Sequence, residues 1–312
     1  MEPITRRTLI VDANNLLYRA GHAAARQDGV EGPLFGDGAK LLFLRNIRKL
    51  IMTFSMSRCF VVWDGMRSSR REGLFSEYKS GRGGDHDEIK RQMHVLIASI
   101  APLLRKIGCR VILCTQREAD DVIYLIVKEI GGGVVASSDR DMYQLVTLGA
   151  SIVDPSSMKF LSGEFFKSEI GADPDCFLLA RVMSGDRNDN IGGVRGVGLT
   201  TAYQIIKKVE EHLPPPTKRG VEWLISGLNL VPPKRRGKRE KDLLEGADTL
   251  RRNAQLMDLS LEVFADHELD KVRNCILSES RFEATEDDVS GIGEGELGLM
   301  FAPWSAPFRM LM

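Results

Sequence analysis

Residues 117–141 read READDVIYLIVKEIGGGVVASSDRD, and the fold follows from this stretch. Val122-Ile123, Leu125-Ile126-Val127 and Ile130 set apolar residues at helical spacing, and Gly131-Gly132-Gly133 ends the run. Val134-Val135 then reads as a short β-branched strand, closed by Ser137-Ser138-Asp139-Arg140-Asp141. Five carboxylates flank this helix and strand. Glu118, Asp120 and Asp121 fall in the first helical turn, where the macrodipole favours negative charge. Asp139 and Asp141 fall just past the strand's C-terminal end, the edge at which open α/β sheets hold ligands. In one cleft such charges repel by several kcal/mol unless protons or a multivalent cation neutralise them. Oxygen ligands alone point to magnesium or manganese rather than zinc. The competing account is that each acid caps its own element.

The same pattern recurs upstream. Thr8-Leu9-Ile10-Val11 is a buried-strand run ending in Asp12, followed by a helical stretch from Leu16 to Ala25. Ala39 to Phe54 carries apolar residues at helical spacing, and Cys59-Phe60-Val61-Val62-Trp63 is a second strand ending in Asp64-Gly65. Glu88 to Ile107 is a helix that Pro102 can bend, Arg110 to Leu113 a third strand, and Ser151 to Asp154 a fifth. Strands separated by helices predict an α/β fold with a central, mostly parallel sheet flanked by helices. Parallel strands bring their C-terminal ends to one edge. Acids at four such ends are therefore more than independent capping predicts.

Between Arg67 and Asp87 the composition turns to cations, Ser and Gly with Phe75 and Tyr78 interleaved, which suits an exposed, mobile segment pairing phosphates with charge and bases with rings. A solvated loop is the plainer account. Cys176 to Met183 is an apolar helix. It leads into Ser184-Gly185-Asp186-Arg187-Asn188-Asp189-Asn190, a glycine hairpin through Gly198, and a helix from Tyr203 to Val209. A glycine hairpin entering a helix offers backbone N–H groups to phosphate. It lacks the Gly-Lys-Ser/Thr of a nucleoside-triphosphate loop. His212 to Lys241 is rich in proline and basic residues and reads as a flexible solvated connection; contact with a DNA backbone is the other reading. Glu245 to Leu261 is helical, and past Ser278 the pattern loosens into glycine-rich and then apolar sequence.

The 312 residues suffice for one large or two modest domains, and 43% hydrophobic with 28% charged residues is ordinary for a soluble protein. Net charge is zero, so any nucleic-acid contact must come from local patches. The five scattered cysteines argue against a disulfide framework or zinc site and for a reducing, cytoplasmic setting. No signal-peptide core or membrane-length apolar run is visible, so no membrane association is expected.

Together these residues resemble the 5′ nuclease (flap endonuclease) family, especially its bacterial and bacteriophage members and the 5′–3′ exonuclease domain of DNA polymerase I. The resemblance rests on Asp12, Trp63-Asp64-Gly65, Tyr78-Lys79-x-x-Arg82, Glu118-Ala119-Asp120-Asp121, Ser138-Asp139-Arg140-Asp141-Met142-x-Gln144-Leu145 and Gly185-Asp186-x-x-Asp189-Asn190 before Gly-Val-x-Gly-Val-Gly. It spans roughly Ile10 to Val209, with Leu250-Arg251-Arg252-Asn253-x-x-Leu256 similar to the family's closing helix. It implies a PIN-like core at 1–175 with a helical arch over about 67–93. A helical domain at 176–280 would carry a helix–hairpin–helix-like element at 185–209, and 281–312 would form a tail of unassigned role. Asp12, Asp64, Glu118, Asp120, Asp121, Asp139, Asp141, Asp186 and Asp189 match the metal-binding acids, holding two Mg2+ ions that Mn2+ can replace, with K+ at the hairpin element. Lys79, Arg82 and Tyr78 match the group at the scissile phosphate. Gly193, Gly196, Gly198, Thr200, Thr201, Lys207, Lys208, Arg70 and Arg71 are the expected DNA contacts. The implied activity is metal-dependent 5′–3′ exonuclease and flap-endonuclease cleavage in DNA replication or repair, by a monomer acting on flaps, nicks or 5′ ends, including RNA primers on DNA. No polymerase region has a counterpart, so a free-standing nuclease is expected. Gly83-Gly84 replaces the prolines common after the arch arginine. A PIN-type ribonuclease and a non-catalytic junction-binding protein are the alternatives. The hairpin and arch argue against the first, and the retained acids against the second.

Overall fold

Short runs of β-branched and aliphatic residues alternate along the chain with amphipathic stretches, and each becomes its own element. The structure is a computed structural model that describes residues 7–65, 68–80, 84–113, 117–290 and 304–311. In order the elements are β1 (Thr8–Asp12), α1 (Ala13–Asp28), α2 (Asp37–Thr53), β2 (Arg58–Trp63), α3 (Ser69–Leu74), α4 (Gly84–Lys106), β3 (Arg110–Leu113), α5 (Ala119–Ile130), β4 (Gly133–Ala136), β5 (Ala150–Val153) and β6 (Phe160–Leu161). There follow α6 (Gly163–Ile170), α7 (Phe177–Ser184), β7 (Gly185–Asp186), β8 (Ile191–Gly192), α8 (Leu199–Glu210), α9 (Val221–Leu230), α10 (Lys238–Glu245), α11 (Ala247–Met257), α12 (Asp266–Leu277) and α13 (Glu286–Ser290). A 3-10 stretch, Arg140–Leu148, joins β4 to β5.

The main sheet runs β3-β2-β1-β4-β5-β6, and the pairs β1–β2, β1–β4, β2–β3 and β4–β5 are parallel. The chain winds outward from β1 through β2 to β3, then resumes at β4 on β1's other side. At that reversal the crossovers leave in opposite directions, which opens a crevice outside the C-terminal ends of β1 and β4. Asp12 closes β1 and Ser137 follows β4, so both stand at this crevice. Leu9 and Val11 share a core with α1, α2 and α4, while α5 packs on β1, β2 and β4. Phe43 stacks on Trp63 with ring centroids 5.4 Å apart.

The triglycine has a conformational cause. Gly131, Gly132 and Gly133 have φ of 73°, 140° and 117°, three consecutive values that L side chains resist. Gly131 caps α5 in the left-handed region, and the next two swing the chain into β4.

The chain divides into two compact units that are discontinuous in sequence, not the contiguous pieces cut at 175 and 280. Unit 1 comprises 1–66, 83–160 and 263–312; unit 2 comprises 67–82 and 161–262. The tail belongs to unit 1. Phe282 bridges Ile107, and Trp304, Phe308 and Leu311 are buried in the same core as Phe43 and Ile100. Leu299, Met300 and Phe301 lie outside the described residues.

Unit 2 packs α7, α8, α9 and α11 around Leu179, Ile206, Leu224 and Leu250, with Tyr78 buried among them. Here one expectation is corrected. His212 to Lys241 is not simply a flexible connection, because it contains α9, whose Val221, Leu224 and Leu228 are buried. Prolines at 214–216 and 232–233 bracket that helix rather than break it. Among the described residues no helix is long and apolar enough to cross a membrane.

Candidate functional site

In unit 1 hydrogen bonds join four chain segments at the crevice. Asp12 leaves β1 at φ −71°, ψ 95°, and its Oδ1 accepts the Asn15 N–H at 3.2 Å, capping α1. Its Oδ2 accepts the Ser137 hydroxyl at 2.8 Å. Asp64 donates its N–H to Asn14 Oδ1 at 2.9 Å, and its own Oδ1 accepts the Ala119 N–H at 2.7 Å. The end of β2 is thereby fixed to α1 and to the N-terminus of α5, whose dipole favours the Asp64 charge. Asp139 donates its N–H to Ser137 Oγ at 3.0 Å and accepts the Asp141 N–H at 2.8 Å. Asn15 Oδ1 accepts from both the N–H (3.2 Å) and the hydroxyl (2.9 Å) of Ser138.

The structure thus gathers Asp12, Asp64, Asp139 and Asp141 with the start of α5, which carries Glu118 as N-cap and Asp120 and Asp121 in its first turn. Asp121 is fully buried and Glu118 nearly so, whereas Asp64, Asp120, Asp139 and Asp141 are half-buried. Burial, reinforced by the neighbouring Asp64 and Asp139 carboxylates, pushes the Asp12 carboxyl up from 3.8 to about 7, against the Ser137 and Asn15 bonds. Among the described residues no three Asp, Glu, His or Cys side chains come together as direct ligands of one metal ion. A hard ion that keeps most of its water and takes one or two carboxylates needs no such trio. The oxygen-only donor set and the charge strain at Asp12 fit an ion of that kind.

Asp186 and Asp189 lie in unit 2, and each has a cation of its own. Asp186, at the end of β7, pairs with Arg181 and accepts the Asn188 N–H at 2.8 Å. Asp189 accepts the Tyr78 hydroxyl at 3.4 Å and lies 3.8 Å from Lys79 Nζ, while the Lys79 N–H donates to the Asp189 carbonyl at 3.0 Å. Lys79 Nζ also sits 5.0 Å from the Tyr78 ring centroid. The expected exposed, mobile Lys79 is in fact 8% exposed and held at φ 56°. Arg82 lies outside the described residues.

Arg70 and Arg71 need a second correction as DNA contacts. Arg71 is 2% exposed and donates Nε–H to the Leu256 carbonyl at 3.0 Å. Arg70 is bound to Glu262 at 2.9 Å and to the Gln255 carbonyl at 2.7 Å. Both fasten α3 to the end of α11, because a desolvated guanidinium must keep its acceptors.

The glycine hairpin is the pair β7–β8, antiparallel, with Gly185 opposite Gly192. A Cβ on Gly193 would lie 2.2 Å from the Ser184 carbonyl, so no larger residue fits there. Asn253, fully buried on α11, donates to the Val182 carbonyl at 3.1 Å and the Gly192 carbonyl at 2.8 Å, fixing the hairpin to α7. Gly196 turns the chain at φ 75°, and α8 starts after Gly198 with no side-chain cap ahead of Thr200 and Thr201. Lys207 is exposed, while Lys208 bonds Glu240 at 2.7 Å and the Arg235 carbonyl at 2.9 Å.

Asn14, Asn15, Ser137, Ser138 and Asn253 were given no site role from sequence, although Ser138 and Asn253 fall inside motifs that carry the resemblance. Their signal was present, as small amides and hydroxyls immediately after a strand or inside an amphipathic helix. Only the assembled hydrogen bonds separate them from ordinary capping residues.

Residues 7–171 match the family described as "5′-3′ exonuclease, N-terminal resolvase-like domain". The chain is similar to the 5′-3′ exonuclease of Aquifex aeolicus, 30% identical over 203 residues, covering 64% of this chain and 68% of that one. To the 5′-3′ exonuclease of Bacillus subtilis it is 28% identical over 251 residues, covering 76% and 79%. Against DNA polymerase I of Pseudomonas aeruginosa it is 29% identical over 272 residues, covering 85% of this chain and 28% of the polymerase. Among solved structures, the fold matches the T5 D15 protein co-crystallised with metal ions at TM-score 0.63 and 20% identity, covering 96% of this chain and 97% of that one. It also matches the catalytic core of Rad2 in complex with DNA substrate at TM-score 0.55 and 14% identity, covering 98% and 93%.

Proposed function

The chain belongs to the 5′-3′ exonuclease family, a family of nucleases, and from that premise we propose that it hydrolyses DNA phosphodiester bonds near the junction of a 5′ single strand and a duplex. The products are a 5′-phosphate and a 3′-hydroxyl. The observation that carries the reading is the convergence of Asp12, Asp64 and Asp139 at the sheet's reversal point, with Asp12 forced up to about 7. The metal-containing T5 structure and the DNA-bound Rad2 structure support the same direction. Two divalent ions, Mg2+ in preference, would supply a water activated at neutral pH and a positive charge for the leaving oxygen.

The chain's own residues do the rest. Asp12, Asp64, Asp139 and Asp141 would hold the cations, together with Glu118, Asp120 and Asp121 at the start of α5. Ser137 and the Asn15 N–H orient the Asp12 carboxylate, while the Asn14 and Asn15 side chains fix the backbone at Asp64 and Ser138, before substrate arrives, which lowers the cost of reorganisation. Lys79 and Arg82 contribute positive charge toward the scissile phosphate, with Tyr78 seating the lysine. The hairpin at Gly193–Gly198 and the first turn of α8 bind duplex phosphates through backbone N–H groups, so recognition is largely independent of sequence. A K+ ion at that hairpin would be held by backbone carbonyl oxygens. Asp186 and Asp189, each balanced by a cation of its own in Arg181 and Lys79, would serve substrate placement.

The test is digestion of an end-labelled 5′ flap, a nick and a blunt duplex, with magnesium and with EDTA. Shortening from the 5′ end or release of the flap, only with magnesium, is expected. Cleavage undiminished in EDTA, or preference for single-stranded RNA over every DNA substrate, would sink this reading.

A further inference from the structure

Arg117 directly precedes Glu118, and its guanidinium is held by the C-terminal part of the chain. Its Nε donates to Glu268 Oε1 at 2.8 Å and its Nη2 to Glu268 Oε2 at 2.7 Å, in the first turn of α12. The fork is largely dry, with the two side chains 18% and 14% exposed. Glu268 is itself fixed, because its Oε2 also accepts the Ala265 N–H at 2.8 Å. The Phe264 ring centroid lies 5.1 Å from the guanidinium carbon. Such a two-point, charge-assisted contact sets orientation as well as distance, unlike an exposed single ion pair. One turn further along α12, Lys271 Nζ donates to the Leu113 carbonyl at 2.8 Å. Both ends of the connection from β3 to α5 are therefore tied to a helix 151 to 158 positions further along the chain.

That connection carries part of the acid cluster. The Arg117 carbonyl accepts the Gly65 N–H at 2.9 Å, and the Ala119 N–H donates to Asp64 Oδ1 at 2.7 Å. These two bonds cross-link residues 64–65 to 117–119, with Glu118 between them. A rotation at Arg117 therefore moves the Asp64 carboxylate and Glu118 together. Like charges push apart unless their backbone is held, and a binding constellation tolerates only about 0.5 Å of such drift. Val272 supplies the buried apolar contact of α12, so the fork sets orientation and is not needed to seal a core.

We propose that Glu268 is a positioning residue for the cation site. Through Arg117 it fixes the backbone that presents Asp64 and Glu118, and so sets how tightly a divalent cation is held. The role rests on the proposed holding of divalent cations by these acids, but not on the cutting of DNA.

The test titrates Mn2+ into the full chain without DNA, with the bound fraction read from the loss of the free ion's paramagnetic resonance signal. Glu268→Gln keeps an oxygen for the Ala265 N–H but turns an amide NH2 toward Arg117, so the fork breaks while the start of α12 stays capped. It should weaken Mn2+ binding about tenfold, the low end of what residues behind a metal ligand contribute. Arg273→Gln is the control for loosened packing. It breaks the 3.0 Å pair with Glu129 between the same two helices, at the far end of α5, and should bind Mn2+ as wild type does. In magnesium, Glu268→Gln should need about tenfold more metal for half-maximal cleavage and regain the wild-type rate at saturation. Wild-type Mn2+ affinity in Glu268→Gln would overturn the proposal, as would equal weakening in Arg273→Gln or a wild type that binds no Mn2+. If the glutamine variant does not fold, Arg117→Lys, which keeps the charge but not the fork, decides by the same readout. A Glu268-dependent affinity in a chain that cleaves no DNA would remove the proposed reaction and keep the positioning role. Cleavage with a Glu268-independent affinity would do the reverse.

Discussion

Asp12 ends a strand, caps a helix and faces two other carboxylates, and these roles conflict. In the unfolded chain its proton leaves near 3.8; in the fold it is retained to about 7. Between those values the native state holds a proton that the unfolded state has lost, so stability falls as pH rises. The Asp12 contribution is full below about pH 4, so without metal the melting temperature should fall steadily from pH 5 to pH 8, with a stability loss on the order of a few kcal/mol. Asp12→Asn keeps the bond from Asn15 and removes the charge. Its melting temperature in EDTA should be higher than wild type at pH 8 and equal at pH 4, while cleavage drops at least 100-fold. A wild-type melting curve in EDTA that improves from pH 5 to pH 8 would contradict this account. Lys79→Ala should cut kcat by about 10²–10³, as loss of one stabilising cation does, with a stability loss near 1 kcal/mol. Lys79→Gly, which relieves the positive φ, should be as inactive but no less stable than the alanine variant. The acids themselves were legible, since Asp after an aliphatic run is visible in one dimension. The partners that orient them, such as Ser137 reaching Asp12 across 125 positions, depend on strand register and were not.

Elements were legible where their periodicity ran long enough. The β-branched runs at Leu9–Val11 and Phe60–Val62 and the apolar stripe of α5 stand out over any neighbour. Helix α9 was hidden by the prolines that flank it, and β6 by having two residues. The short helix α3 was hidden by arginines that read as surface but are bonded inward. Two substitutions probe the hairpin. Gly193→Ala drives a methyl to 2.2 Å from backbone and should cost at least about 3 kcal/mol by urea unfolding. Asn253→Leu fills similar volume but strands the Val182 and Gly192 carbonyls, costing about 2–4 kcal/mol and weakening duplex binding. Duplex affinity unchanged in both would detach the hairpin from DNA binding.

The whole molecule was the least legible scale, because compactness there follows space rather than sequence. Unit 1 is built from three separated segments, and a contiguous reading had no signal for the return of residues 263–312. Phe308 is fully buried, so Phe308→Ala should destabilise unit 1 by about 3–5 kcal/mol, seen as faster proteolysis within 84–160 than within 161–262. Equal acceleration in both units would mean that they unfold as one. The discontinuity also orders biosynthesis. Residues 161–262 leave the ribosome as an almost unbroken block and can close on themselves, while β1, made first, waits for Trp304 and Leu311 before its core is complete. A growing polypeptide of this kind carries its acids long before they are rigidly seated, so cutting power arrives late in translation.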